Sequence, residues 1–280
     1  MVPASLKDSR LRLLSILALL AFVGVLTVNT LANALPLNGA NTGVLSDEIP
    51  NLFVPAGLTF SIWGLIYLLL AGYIVMVIRE SWRLTKDQRA WTAADAALFL
   101  VNAAANMAWI FAWHWRQVGL AMAIMLVILG TLIALEQRNQ GKLAEGGVLH
   151  AGRGAGAAQR FFLTVPLRVY LGWISVATIA NATAVLVKAG WNGFGIDPRV
   201  WTVVVIIAGL AVALGFSLWK RQIAAPLVVV WAYAGIILKR TQTDAAYSSP
   251  VWIAAGVAIF IILLSFAYGR RASSLKRREA

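Results

Sequence analysis

Three tryptophans lie inside apolar stretches with carboxamides or hydroxyls nearby: Trp63 in Phe53-Val-Pro-Ala-Gly-Leu-Thr-Phe-Ser-Ile-Trp-Gly-Leu-Ile-Tyr67, Trp109 in Asn102-Ala-Ala-Ala-Asn-Met-Ala-Trp109, and Trp173 in Tyr170-Leu-Gly-Trp-Ile-Ser-Val-Ala-Thr-Ile-Ala-Asn181. An indole offers a flat apolar face, and an amide offers both a donor and an acceptor. Together they suit the binding of a hydrophobic molecule that carries a few polar atoms. These stretches show no acid and base pair, no nucleophile beside a base and no metal-ligand cluster, which argues against an enzyme. The chain has no cysteine, so disulfides, thiolate catalysis, iron–sulfur clusters and thiol-linked haem are excluded. His114 and His150 are the only histidines. The topology expected below puts them on opposite membrane faces, so they cannot share a metal. His114, flanked by Trp113 and Trp115, is read as an interfacial residue, with haem ligation as the alternative.

The elements that must position these groups are membrane helices. With 60% hydrophobic and only 12% charged residues and a mean hydropathy of +0.78, the chain reads as a polytopic membrane protein rather than a soluble one. Apolar stretches long enough for the ~30 Å hydrocarbon core cover roughly 11–35, 56–79, 94–115, 117–136, 161–187, 200–219, 223–238 and 251–269. None alternates with period two, so the fold class is all-α, a transmembrane helical bundle of about eight helices, and not an outer-membrane barrel.

Helical periodicity sorts the polar groups onto faces. Asn102, Asn106, Trp109 and Trp113 share one side of the third span, and Ala104, Ala108 and Ala112 share another. The second span carries a stripe of Phe60, Trp63, Gly64, Tyr67 and Ala71, and the fifth carries Tyr170, Trp173, Ala177 and Asn181. The rise per residue places Trp63, Asn106, Trp109, Thr178, Asn181, Asn29 and Asn33 in the outer halves of their helices. Amides are costly in lipid unless paired, so a partly polar cavity beneath loop 36–55 is expected, lined by Phe60, Trp63, Tyr67, Asn102, Asn106, Trp109, Tyr170, Trp173, Ala177, Thr178 and Asn181. The competing reading is that the amides tie helices together and that Trp63, Trp109 and Trp173 pack the core. Trp82, Trp91, Trp113, Trp115, Trp191, Trp201, Trp219 and Trp252, near span ends, are expected in the interfacial belt, and Trp231 in the core of the last three helices.

Charge sets orientation. Lys7, Arg10, Arg12, Arg79, Arg83, Lys86, Arg89, Arg138, Lys142, Arg153, Arg160, Lys220, Arg221 and the basic C-terminal tail fall on one side, which predicts both termini in the cytoplasm, here of a bacterial plasma membrane. The net charge of +13 is spread over alternating loops, as topology requires, so no nucleic-acid partner is expected. The first span also resembles a signal peptide, with Ala32-Asn-Ala34 as an A-x-A site; retention is the preferred reading because the run is long and holds Asn29 and Asn33. Loop 36–55, rich in turn formers, suits a lid. The Gly/Ala-rich segment 137–160 reads as a mobile linker rather than a phosphate loop. Arg168 is read as snorkelling to the cytoplasmic surface rather than holding an anion. The domain expectation is a five-helix ligand-binding unit, 1–189, followed by a three-helix unit, 190–280.

Pro55-Ala-Gly-Leu-Thr-Phe-Ser-Ile-Trp63 with Tyr67, Asn106-Met-Ala-Trp109, and Tyr170-x-x-Trp173-x-x-x-Ala177-Thr178-x-x-Asn181 resemble, in order, the motifs of the tryptophan-rich sensory protein/translocator protein (TspO) family. The resemblance covers about residues 10–188. Leu58 stands where that signature has its first tryptophan and Ala56 where it has a second proline, and 36–55 lacks the family's aromatic-rich loop sequence. The three last helices make this an enlarged form. The resemblance implies a protein that binds porphyrins, sterol-like lipids or aromatic drugs inside a five-helix bundle, with Trp63 and Trp173 facing bound tetrapyrrole. It also implies a homodimer, for which the Ala104/Ala108/Ala112 face of the third helix is the candidate. The expected function is therefore binding, sensing or transport of a hydrophobic ligand, in contact with membrane lipid. No resident cofactor is expected, and a porphyrin or haem would be the ligand. The alternatives are an enzyme that degrades or modifies such a ligand through indole redox chemistry, and a structural membrane subunit.

Overall fold

A computed structural model describes residues 4–35, 37–83, 89–144 and 156–278, with side chains throughout except at 4–8 and 269–278. The regular structure of the described residues is helical, with no strand among them. The helices are α1 (Ala4–Ala34), α2 (Thr42–Asp47), α3 (Ile62–Arg83), α4 (Ala93–His114), α5 (Val118–Leu143), α6 (Ala157–Lys188), α7 (Pro198–Leu214), α8 (Ala224–Thr243) and α9 (Ser249–Arg278). Among the described residues eight segments are long and apolar enough to cross a membrane, and the protein is an integral membrane helical bundle. Helices satisfy their own backbone, which is why an uninterrupted apolar run in lipid takes this form. Several helices outrun the apolar stretches that announce them. α5 continues to Leu143 through Glu136, Arg138, Asn139 and Lys142, because the polar residues at its end find partners within the protein. Of the expected linker 137–160, residues 145–155 lie outside the described residues, and the flanking parts are largely helix.

The chain forms two compact units. Unit 1 comprises residues 1–42 and 62–171; unit 2 comprises 43–61 and 172–280, so the division falls inside α6. The expected division at 189/190 follows the spans instead.

In unit 1, α4 packs against α1 and α5, and α3 packs against α1. The buried face of α3 is Ile62, Ile66, Leu70, Tyr73, Ile74 and Val77, which follows the 3.6-residue period. It is not the stripe Phe60, Trp63, Gly64, Tyr67 and Ala71 expected to face inward: Trp63, Tyr67 and Ala71 are half-buried and Gly64 is exposed. Lipid is as apolar as leucine, so helices associate through close packing and hydrogen bonds, and branched aliphatics interlock better than a row of rings. On α4 the expected side is inside, with Asn102, Asn106, Trp109 and Trp113 all buried.

One end of unit 1 holds charged pairs that pattern reading missed. Asp95, fully buried, accepts from Thr92 N at 2.8 Å, as the last residue of a capping box does, and from Thr92 Oγ1 at 2.6 Å. It also pairs with Arg138 at 2.6 Å and with Lys142. Glu80, fully buried, accepts from Ala90 N, Trp91 N and Gln159 Nε2. Arg168 does not snorkel free; its Nε pairs with buried Glu136 at 3.0 Å. Trp91 leaves the expected belt for the interior at 2% exposure, because its backbone N–H is bound by Glu80.

In unit 2, α8 and α9 pack together, and α7 packs on both. Tyr233 of α8 donates to Ile206 O of α7 at 2.6 Å. α6 approaches α8 at Gly172, where an added Cβ would lie 2.7 Å from Ala225 O and 2.9 Å from Ala225 Cα. Asp197 caps α7 by accepting from Arg199 N at 2.7 Å, with Pro198 opening the helix. The hydrogen bonds from the Arg199 guanidinium and backbone hold the Asp197 carboxyl down at about 2. Trp231 is not core: it is 38% exposed, and its indole N–H is bonded to the backbone of Thr59.

Candidate functional site

The candidate residues fall into two groups, one in each unit. In unit 1, the Trp63 ring stacks on Tyr67 at 5.5 Å between centroids and meets Tyr170 edge-on at 5.7 Å. Trp63 and Tyr67 are successive turns of α3, so helical geometry makes that stack; Tyr170 comes from α6. The Tyr67 hydroxyl is buried and finds no hydrogen-bond partner among the described residues. Buried hydroxyls are nearly always bonded, so this one is a polar handle awaiting an acceptor or donor.

Asn106 sits at the junction of three helices. Its Oδ1 accepts from Asn29 Nδ2 of α1 at 2.9 Å, and its Nδ2 donates to the Tyr170 hydroxyl of α6 at 2.8 Å. Asn29 also donates to Val25 O at 2.9 Å. Asn33, one turn further along α1, accepts from Thr42 N at 3.4 Å and donates to Asn29 O. This chain of amides ties α1, α4 and α6 together and holds the Tyr170 ring against Trp63.

Asn102 turns elsewhere, donating to Ile128 O at 3.1 Å and Thr131 Oγ1 at 2.8 Å on α5, so it does not join the Asn106 group. Trp109 is buried and stacks on Trp113 at 5.4 Å. Trp113 was expected in the belt but is 6% exposed, with its indole N–H donating to Thr42 O at 3.4 Å. His114 is likewise not interfacial but fully buried. Its Nδ1 meets Ile110 O at 2.8 Å; a carbonyl only accepts, so Nδ1 carries a proton. Its Nε2 is buried as well and finds no hydrogen-bond partner among the described residues. Nearby, Asn38 donates to His114 O at 2.8 Å. Burial and partnership of this kind carry no local sequence signal, because Trp-His-Trp at a helix end reads equally well as a surface belt.

In unit 2, Phe60 meets Trp173 edge-on at 5.7 Å between centroids. Trp173 is 3% exposed. Ala177 and Thr178 follow it on α6, half-buried, and Thr178 donates back to Ile174 O. Asn181, buried, donates to Ala177 O at 2.9 Å. Two residues on, Thr183 Oγ1 accepts from Asn51 Nδ2 at 2.5 Å, which fastens the segment that follows α2 to α6. No cluster of three or more acids and histidines fit to hold a metal occurs among the described residues.

The face of α4 proposed for dimerisation is partly inside. Ala104 and Ala108 are exposed, whereas Ala112 is 6% exposed within its own chain; Val101 and Phe111 complete the outward side. The 100° step per residue carries Ala112 around the helix and away from Ala104.

A search of curated proteins and a search of solved structures returned no match. The profile of a family described as TSPO-like protein matches residues 15–268. The match is not confined to the first five spans; it runs on through α7, α8 and most of α9. With order, motifs and matched length in agreement, the chain belongs to the TSPO-like protein family.

Proposed function

We propose that this protein binds a flat hydrophobic ligand, a tetrapyrrole or a lipid-like molecule, within the membrane, and senses or carries it without altering it. The observation that supports this best is the aromatic group of unit 1: half-buried Trp63 backed by Tyr67 and Tyr170, with the Tyr67 hydroxyl buried and unpartnered beside it. Such a group presents stacking surface together with a single polar contact, which is what an apolar planar ligand with few heteroatoms requires. In unit 2, the Phe60–Trp173 pair is a separate aromatic group of the same kind. The spread of lysine and arginine supports a reading with both termini in the cytoplasm and the Asn29–Asn106 level in the outer half of the membrane, which this proposal takes to be a bacterial plasma membrane.

Titration of protoporphyrin into the protein in lipid nanodiscs tests the reading. Quenching of tryptophan fluorescence is expected, and Trp63→Leu combined with Trp173→Leu should weaken binding by about 1–3 kcal/mol, the worth of lost aromatic contact. Recovery of the porphyrin chemically intact after long incubation in light and in darkness separates a binder from an enzyme. Unchanged affinity in a folded double variant sinks the assignment of these rings as ligand contacts.

A further inference from the structure

The outer segment 43–61 of unit 2 is gripped by one face of α8. Trp231 Nε1 donates to Thr59 O at 2.9 Å, Gly235 O accepts from Ala56 N at 3.0 Å, and the Lys239 ammonium pairs with the Asp47 carboxylate. Positions 231, 235 and 239 are successive i, i+4 steps, so the three contacts form a ladder one helical turn apart. At the middle rung the fit is steric as well. Thr59 is 2% exposed and lies so close to Gly235 that an added Cβ would overlap its hydroxyl and sit 2.9 Å from its Cβ and Cγ2. The residue after Thr59 is Phe60, whose ring meets Trp173.

Residues 48–56 contain little regular structure, so their backbone groups need partners from outside. Ala56 N finds its partner on α8, and so does Thr59 O in the short helical turn that follows. The rungs differ in strength. The Asp47 side chain is 52% exposed, so the ion pair to Lys239 contributes little. The weight falls on Gly235 and Trp231.

We infer that α8 is the positioning element of the outer segment, and that Trp231 and Gly235 are positioning residues that set Phe60 against Trp173. The last three helices are then a working part of the ligand apparatus and not an appendage to it. The local geometry stands on unit 2 alone; its consequence for ligand rests on the proposed function.

The chain has no native cysteine, so Leu58→Cys, at a position 68% exposed, accepts a single nitroxide label that reports the motion of the segment directly. In nanodiscs the label should give a restricted line shape. Gly235→Ala should mobilise it by driving Thr59 out. Adding Thr59→Gly, which removes all three overlapping atoms, should restore the restriction. Trp231→Phe keeps most of the ring and removes the donor, and should mobilise the label to a smaller degree; it answers the question if Gly235→Ala fails to fold. Porphyrin affinity, measured in parallel, should fall in Gly235→Ala and recover in the double variant. A label equally restricted in Gly235→Ala and Trp231→Phe overturns the inference, as does a folded double variant in which restriction does not return. A mobile label with unchanged affinity overturns the role in ligand binding. If the unmodified protein binds no porphyrin, the proposed function falls, while the line shapes still decide whether α8 holds the segment.

Discussion

Asn106→Leu should destabilise the bundle in a manner that can be apportioned bond by bond. The leucine keeps the volume of the side chain and removes two interhelical hydrogen bonds, one from Asn29 and one to Tyr170. Interhelical bonds in membranes average about 0.6 kcal/mol and reach about 1.7 kcal/mol, so two of them give roughly 1–3 kcal/mol. The upper half of that range is favoured because the partners do not lose equally. Asn29 Nδ2 still reaches Val25 O, but the Tyr170 hydroxyl, in a side chain 4% exposed, keeps no other bond among the described residues. An orphaned buried hydroxyl costs about 1–3 kcal/mol. In Tyr170→Phe the hydroxyl is removed along with the bond, so a cycle of Asn106→Leu with Tyr170→Phe should show coupling of about 0.6–1.7 kcal/mol. Unfolding by SDS titration in bicelles, followed by circular dichroism, measures all four species. A loss below about 0.5 kcal/mol in Asn106→Leu, or additive behaviour in the cycle, would refute the assignment of Asn106 as the knot between α1, α4 and α6.

Three further outcomes are expected. Asp95→Ala removes the shared partner of Arg138 and Lys142 and should cost about 3 kcal/mol, the lower end for a broken buried pair because Arg138 remains 40% exposed; adding Lys142→Met should return part of that loss, and no recovery in the same SDS titration refutes the pairing. Gly172→Leu places side-chain atoms against the backbone of Ala225 and should destabilise by about 1–3 kcal/mol, whereas Gly64→Leu, where a Cβ meets nothing within 4 Å, should be near neutral; equal thermal midpoints for the two variants would contradict the close approach of α6 to α8. If the protein dimerises through α4, Ala108→Cys should form a disulfide-linked dimer on oxidation in native membranes and Ala112→Cys should not, since only the former is exposed; a dimer through Ala112→Cys alone, or none through Ala104→Cys and Ala108→Cys, rejects that face.

The spans, the inward side of α4 and the family motifs were legible in the sequence because each is local. Apolar length fixes a membrane helix, a 3.6-residue period fixes which residues share a side, and the order of three short motifs fixes the family. What local pattern could not decide was which of two sides wins. On α3 the aromatic stripe and the aliphatic row differ by about one position, and the aliphatic row took the interior because it interlocks with its neighbours. On α4 the two asparagines share a side, yet Asn106 bonds across to α1 and α6 while Asn102 bonds to α5; complementarity between residues far apart in the chain made that choice. Trp91, Trp113 and His114 sit near helix ends as belt residues do, and only partners elsewhere in the protein drew them inside. The place of α8 was the least visible of all, since Gly235 and Thr59 are 176 positions apart by their numbers and a glycine in an apolar helix gives no hint of what rests on it. Burial and partnership are properties of pairs, and a sequence read along its length shows one member of each pair at a time.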